Sequence, residues 1–297
     1  MRKLLTLINR NLQVYRRDPM TVFFSFLSPL ILFVLFLVFF RHSIAGIVTD
    51  SIPGATSADS YALCDEWLFA SVATLSTFST SLAMLTSFVD DRVTGRFSDY
   101  LVSPIRRWQL GLAYVLSTFL VSVVVSVVLM GVGQGWAILH DQPLLSPVLF
   151  LRSVLGITAG CLVFSAYNTL IVTFTASQGS FGGYAIIMGT SMGFLSFCYV
   201  PPSQLGQGLN STLSAMPFAQ VGALIRLPAM EPATQRLMAP IPPAARDAAR
   251  LRLIDALGAR LSVHNTVLSI GVMLLLILAV TIILASFAAW RMGRVIR

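Results

Sequence analysis

The stretch Asp90-Asp91-Arg92-Val93-Thr94-Gly95-Arg96-Phe97-Ser98-Asp99-Tyr100-Leu101-Val102-Ser103-Pro104-Ile105-Arg106-Arg107-Trp108-Gln109-Leu110 is a charged island between two apolar runs. Seven charged side chains lie in these 21 residues, and neither flanking run, 68–89 or 110–139, contains one. Each run is long enough to cross a bilayer, and charges in hydrocarbon cost several kcal/mol apiece, so the island must lie in water or among headgroups. Its four arginines put it on the cytoplasmic side. A polar connector of this kind is a natural place for a soluble partner to grip a membrane protein.

Composition agrees. The chain is 56% hydrophobic and 11% charged, with a mean hydropathy of +0.81, where a water-soluble domain carries about 25% charged residues. This is a polytopic membrane protein. The net charge of +8 belongs to arginines flanking apolar spans rather than to a continuous basic stripe, so topology explains it and a nucleic-acid partner does not. Among the basic residues 19 are Arg and one is Lys, a bias pointing to a GC-rich bacterial source. Cys64, Cys161 and Cys198 show no C-x-x-C spacing. Cys64 and Cys198 fall near outer helix ends, where a disulfide is one reading and isolated small apolar side chains the other.

A hydrocarbon core of about 30 Å needs about 20 apolar residues per helix. Six segments qualify: 21–40, 68–89, 110–139, 153–175, 181–200 and 266–290. The fold class is all-α, and the whole of 1–297 reads as one transmembrane domain. Placing both termini and the 90–109 connector in the cytoplasm gathers 12 of the 20 basic residues there, while the short outer connections keep only Arg41 and Arg152. Trp67 and Trp136 then mark outer helix ends, Trp108 and Trp290 inner ones.

Before the first span, Leu4, Leu5, Ile8, Leu12 and Tyr15 recur at three- and four-residue steps among basic residues. This predicts an amphipathic helix over 1–18 lying in the inner interface. The outer segment 201–264 carries apolar stripes broken at Pro217, Pro228 and Pro242-Pro243. They predict two short helices returning toward the membrane and a third, amphipathic one around Leu251 and Ile254. Two small-residue pairs, Gly179-x3-Gly183 and Gly189-x3-Gly193, suit close helix packing, either within the chain or at a dimer interface.

No catalytic constellation emerges. The only lysine is Lys3, so no P-loop lysine exists, and none of the twelve acidic residues lies inside an expected span. An intrinsic ATPase and an ion-coupled pump are both disfavoured, and no cofactor site is expected on this chain. Energy for transport must enter from another protein. Within the spans the polar groups are mild. Thr74, Thr77, Ser81, Asn168 and Thr190 are candidates for a weakly polar substrate path, helix–helix packing being the equal alternative.

At this point the chain resembles the membrane subunit of a type-2 ABC exporter. The residues that carry the likeness are Arg16-Arg17-Asp18-Pro19, Asp91-Arg92-x2-Gly95 with Ser103-Pro104-Ile105-Arg106-Arg107-Trp108, and the stretch from Pro201 through Met216-Pro217 to Arg226. Asp91 stands where that family usually has Glu, and Arg96 where it often has Thr. The resemblance implies an interfacial elbow helix, re-entrant outer helices and a cytoplasmic coupling element over 91–107. Asp91, Arg92, Gly95, Arg96, Ser103, Pro104, Arg106 and Arg107 would serve that element, their charged members offering contacts to separate ATPase subunits that carry ATP and Mg. It also implies a second permease copy and an amphiphilic drug, antibiotic or lipid substrate, with polysaccharide next, in a bacterial cytoplasmic membrane. From the residues alone, a secondary carrier, a membrane-embedded lipid enzyme and a non-transporting scaffold stay open.

Overall fold

The computed structural model describes residues 2–52, 55–96, 107–264 and 266–295. The described chain is built of helices: α1 (Arg2–Arg17), α2 (Pro19–Phe39), α3 (Arg41–Ser51), α4 (Ser57–Val93), α5 (Arg107–Leu139), α6 (Pro147–Val172), α7 (Gln178–Leu195), α8 (Gln207–Ser214), α9 (Pro217–Ala229), α10 (Glu231–Met238), α11 (Pro243–Ala256) and α12 (Ile270–Val295). Only a two-residue antiparallel pair, β1 (Ser262–Val263) and β2 (Thr266–Val267), interrupts them among the described residues. Five helices, α2, α4, α5, α6 and α12, are long and apolar enough to cross a membrane.

Helix α4 is the axis. At 37 residues it runs about 55 Å, well beyond a bilayer core, and it packs against α2, α5, α6, α7 and α9. Its Ser/Thr/Ala-rich middle lets neighbours approach closely, and several of its hydroxyls turn back to their own helix. Thr74 donates to the Ala70 carbonyl at 2.8 Å, Thr77 to Thr74 at 2.6 Å and Ser81 to Phe78 at 2.7 Å. Ser76 also reaches Ser126 of α5 at 2.7 Å. The helix begins 11 residues before the expected span, because Thr56 caps it through the Asp59 amide. Asp65 and Glu66 therefore lie in the same helix as the expected 68–89 span, though outside that span. They sit near its start, beyond the apolar run.

At the end away from the 94–106 connection, α3, the start of α4, α10 and α11 enclose a second apolar core around Val48, Trp67, Leu237 and Leu253. This cap accounts for the segment 230–262. It also corrects the reading of Trp67 as an interfacial marker: Trp67 is buried and donates its indole N–H to the Leu257 carbonyl at 2.8 Å. Arg226 of α9 is fully buried beneath the cap. It donates to the carbonyls of Ser196 (2.7 Å) and Gly258 (3.4 Å), to Ser71 Oγ (3.3 Å) and to Cys198 Sγ (3.0 Å), and its guanidinium faces the Trp67 ring at 5.4 Å. All three cysteines are free and buried, so the disulfide reading falls.

Other expectations shift. The 181–200 segment is helical only over the 18 residues of α7, after which Phe197 turns with φ 56. Residues 266–267 belong to the strand pair rather than to the last span. The helix α9 continues through Pro228 to Ala229. In α1, Leu5 is exposed and Asn11 takes the buried position, donating to Ser117 Oγ at 3.2 Å. The expected glycine pairs also divide. A Cβ on Gly193 would strike Tyr199, an intramolecular contact, whereas Gly183 and Gly189 have open space. The close approach lies instead at Gly156 and Gly160 of α6, where α9 packs.

Two measurements test this account. A Cβ on Gly156 would stand 2.9 Å from the Leu224 carbonyl oxygen, which is backbone and cannot rotate away. Gly156→Ala should therefore cost about 1–3 kcal/mol in equilibrium unfolding, while Gly183→Ala should be neutral or slightly stabilising. Asp18 caps α2 by accepting from the Thr21 hydroxyl (2.6 Å) and amide (3.1 Å), which holds its carboxyl below the usual range. A lowered value means the contribution is present above the ordinary aspartate range and lost as pH falls through it. Asp18→Ala should cost about 1 kcal/mol at neutral pH and almost nothing once the wild-type carboxyl is protonated.

Candidate functional site

The charged connector begins inside α4, whose last turns carry Asp90, Asp91 and Arg92. The chain leaves the helix through Thr94 and Gly95, the latter at φ +74 in the left-handed region that favours glycine. Gly95 N–H closes the turn on the Arg92 carbonyl at 3.3 Å. Ser103, Pro104 and Arg106 lie outside the described residues, as does the side chain of Arg107, which opens α5.

Asp91 is 2% exposed and is the hub of this end. Arg10 of α1 donates to both carboxylate oxygens, one contact being 2.8 Å. Tyr114 of α5 donates its phenol to Oδ2 at 2.7 Å, and Arg96 stands 3.5 Å from Oδ1. A forked, charge-assisted pair with a phenol on the remaining lone pair satisfies a carboxylate that would otherwise be costly to bury. This corrects the expectation that Asp91 offers itself to a soluble surface: it faces inward, where Arg10 and Tyr114 take the place of water around its carboxylate.

Arg92 also turns back. Its guanidinium donates to the carbonyls of Thr175 and Thr173 (3.3 Å), capping the C-terminal end of α6. Gln178, in the first turn of α7, donates to Asp90 Oδ1. Arg291 of α12 lies 3.5 Å over the Phe174 ring. One cluster of side chains thus ties α1, α4, α5, the α6–α7 turn and α12. Arg96 is largely open, at 59% exposed, and Asp90, Val93, Thr94 and Gly95 are exposed beside it. The helices on either side of the connector belong to one mechanical unit with α1.

The expected substrate-path residues are only partly brought together. Asn168 of α6 donates to Ser81 and to the Phe78 carbonyl (3.4 Å), and accepts from the Tyr184 phenol at 2.6 Å. Thr74 and Thr77 are buried nearby in α4, while Thr190 stands apart on the exposed side of α7. These four inner residues pack helices together. The open space lies elsewhere, in a cleft of about 440 Å³ between α2, α4 and α7. It presents the hydroxyls of Thr21, Ser25, Ser79 and Thr86 among Phe24, Phe181 and other apolar groups.

Arg10, Tyr114 and Arg226 were missed from sequence. Arg10 read as one more headgroup arginine, and its partner lies 81 positions away. Tyr114 stood unmarked in an apolar run.

The Asp91 hub makes a direct prediction. Asp91→Asn should lower stability by about 1–3 kcal/mol, because a buried neutral amide cannot accept the forked, charge-assisted contact from Arg10. Arg10→Gln in the same background should then add little, a coupling of at least about 1 kcal/mol in a double-mutant cycle of thermal unfolding. Additive losses would sink the hub.

A search among curated proteins finds no match to this chain. The profile of the family described as ABC-2 type transporter matches residues 2–226, a span that includes α1, the Asp91 hub, the connector and the helices as far as Arg226. It is a multi-pass membrane protein, and it belongs to the ABC-2 type transporter family as a permease subunit.

Proposed function

We propose that this chain is the permease subunit of an ATP-driven exporter, working beside a second permease copy and driven by separate ATPase subunits that hold ATP and Mg. The observation that carries this reading is the Asp91 hub. It joins α1 and α5 to the helix from which the connector emerges, so a push on the 94–106 segment is delivered to three helices together. In this reading Arg96, with Ser103, Pro104, Arg106 and Arg107, meets the ATPase, whereas Asp91, Arg92 and Gly95 shape the base of the element.

The finer topology follows the same reasoning. Helix α7 spans about 27 Å, enough for a sixth crossing. With α1 as an interfacial elbow and α8–α9 as re-entrant outer helices, both termini fall on the cytoplasmic side of a bacterial inner membrane. The sharing of one end by α1, the connector and the last turns of α12 supports this. For the second permease, α7 offers Gly183, Ile186, Ile187, Thr190 and Phe194 on one exposed stripe at helical spacing. The neighbouring cleft, weakly polar and rich in aromatics, suits an amphiphilic drug, antibiotic or lipid better than a polysaccharide, which needs denser hydrogen bonding. Switching that cleft between two sides of the membrane requires ATP to bind the two states with different affinity.

The test is co-purification of the tagged chain from its native membrane. An ATPase is expected to accompany it. Gly95→Pro should abolish the association, since proline cannot adopt φ +74 or donate the amide that closes the turn, and Arg106→Glu should weaken it at least tenfold. A chain that emerges alone under gentle extraction would return the carrier and scaffold readings to the front.

A further inference from the structure

A second and larger cavity, about 720 Å³, opens at the cap end between α6, α9, α11 and α12, with no residue of α4 in its lining. Its floor is apolar, with Leu149, Leu155, Leu224, Leu227, Met273 and Leu274. Leu155 and Leu274 are also exposed on the outer surfaces of α6 and α12, 59% and 41%. The floor therefore runs without a break into surface that hydrocarbon would cover.

The rim is charged and unbalanced. Arg152, Arg250, Arg260, Glu231 and Gln235 line it. Glu231 is already engaged on both oxygens, by Gln235 at 3.0 Å and Arg250 at 2.6 Å. Arg260 makes only a long, exposed contact with Asp255, 3.4 Å. Arg152 stands five residues inside α6, on an exposed face, with no carboxylate partner among the described residues. One unpaired and one loosely paired guanidinium thus overhang an apolar trough at the level where a membrane helix meets the headgroups. A guanidinium there recruits phosphate oxygens, to which its planar fork is matched. A small soluble anion would gain nothing from the apolar floor.

We infer that this groove is a binding site for an anionic phospholipid of the surrounding membrane. Its phosphate meets the Arg152–Arg260 rim and an acyl chain lies along the seam between α6 and α12. The site is separate from the α2–α4–α7 cleft and shares no lining residue with it. It rests on the proposed topology only for the leaflet, which that topology makes the outer one.

The test is native mass spectrometry of the purified full-length chain in mixed micelles containing phosphatidylglycerol or phosphatidylcholine. The wild type should retain phosphatidylglycerol preferentially. Arg152→Gln and Arg260→Gln should each reduce that retention about fivefold, the effect of one basic group at an anionic headgroup. Arg152→Lys should keep most of it, and phosphatidylcholine retention should not change. An unaltered melting temperature in the two Gln variants shows that the fold is intact. Equal retention of the two lipids by the wild type, or undiminished phosphatidylglycerol in the double variant, would overturn the site. Displacement of the lipid by excess glycerol phosphate would overturn it too, in favour of a soluble anion. Leaflet is read separately, by labelling Leu144→Cys in intact cells with a membrane-impermeant maleimide, the native thiols being buried. Labelling supports the outer leaflet. Its absence, with lipid retention preserved, would overturn the topology and leave the lipid site standing.

Discussion

The buried ion pair of Asp91 with Arg10 sets what this structure can do. An aspartate at the end of a membrane helix can be hydrated, or it can be drawn into protein, and the second option requires a donor set that replaces water. Arg10 and Tyr114 form that set. The consequence is geometric: α1 cannot shift against α4 and α5 without breaking a forked contact, so the three helices hold one register. Such a pair contributes less to net stability than to uniqueness of arrangement, because much of its attraction is offset by desolvation.

From that anchor α4 carries the constraint through the molecule. Thr74, Ser76, Thr77 and Ser81 spend their hydroxyls on their own helix carbonyls or on α5, so the contacts around them are close-packed rather than adaptable. A helix held this way transmits displacement instead of absorbing it. The cap at the opposite end is seated on the same helix through Trp67. Events at the connector and events at the cap are thus two ends of one rigid element. The cleft of α2 and α7 lies along its side, where small rotations change width most.

How much of this was legible in sequence depended on the range of the interaction. The apolar runs located the long helices because hydrocarbon demands about 20 such residues whatever the neighbours are. Pro217 and Pro243 announced helix starts for the local reason that proline suits the first turn. Helix α3 escaped notice although Ile44, Ala45, Val48 and Ile52 lie at helical steps, because an 11-residue stripe beside a transmembrane run reads as connection. The direction in which Asp91 points was not readable, since it is decided by residues on two other helices. Small-residue spacing called attention to α7, while the tight approach falls at Gly156 and Gly160 against α9; the stripe of Val221, Leu224 and Ile225 announced that helix, but not which neighbour it would press.

Arg226 has a consequence for how the protein is made. Its charge is stranded in a dry interior unless two carbonyls come to meet it, one at Ser196 and the other at Gly258. The first is 30 positions earlier and the second 32 positions later, so Ser196, with Ser71 and Cys198, is already made when α9 emerges, and the set is completed only when the chain beyond α11 turns back to Gly258. The cap is in this sense a latch: the turn after α11 closes over a guanidinium that the earlier helices satisfy only in part.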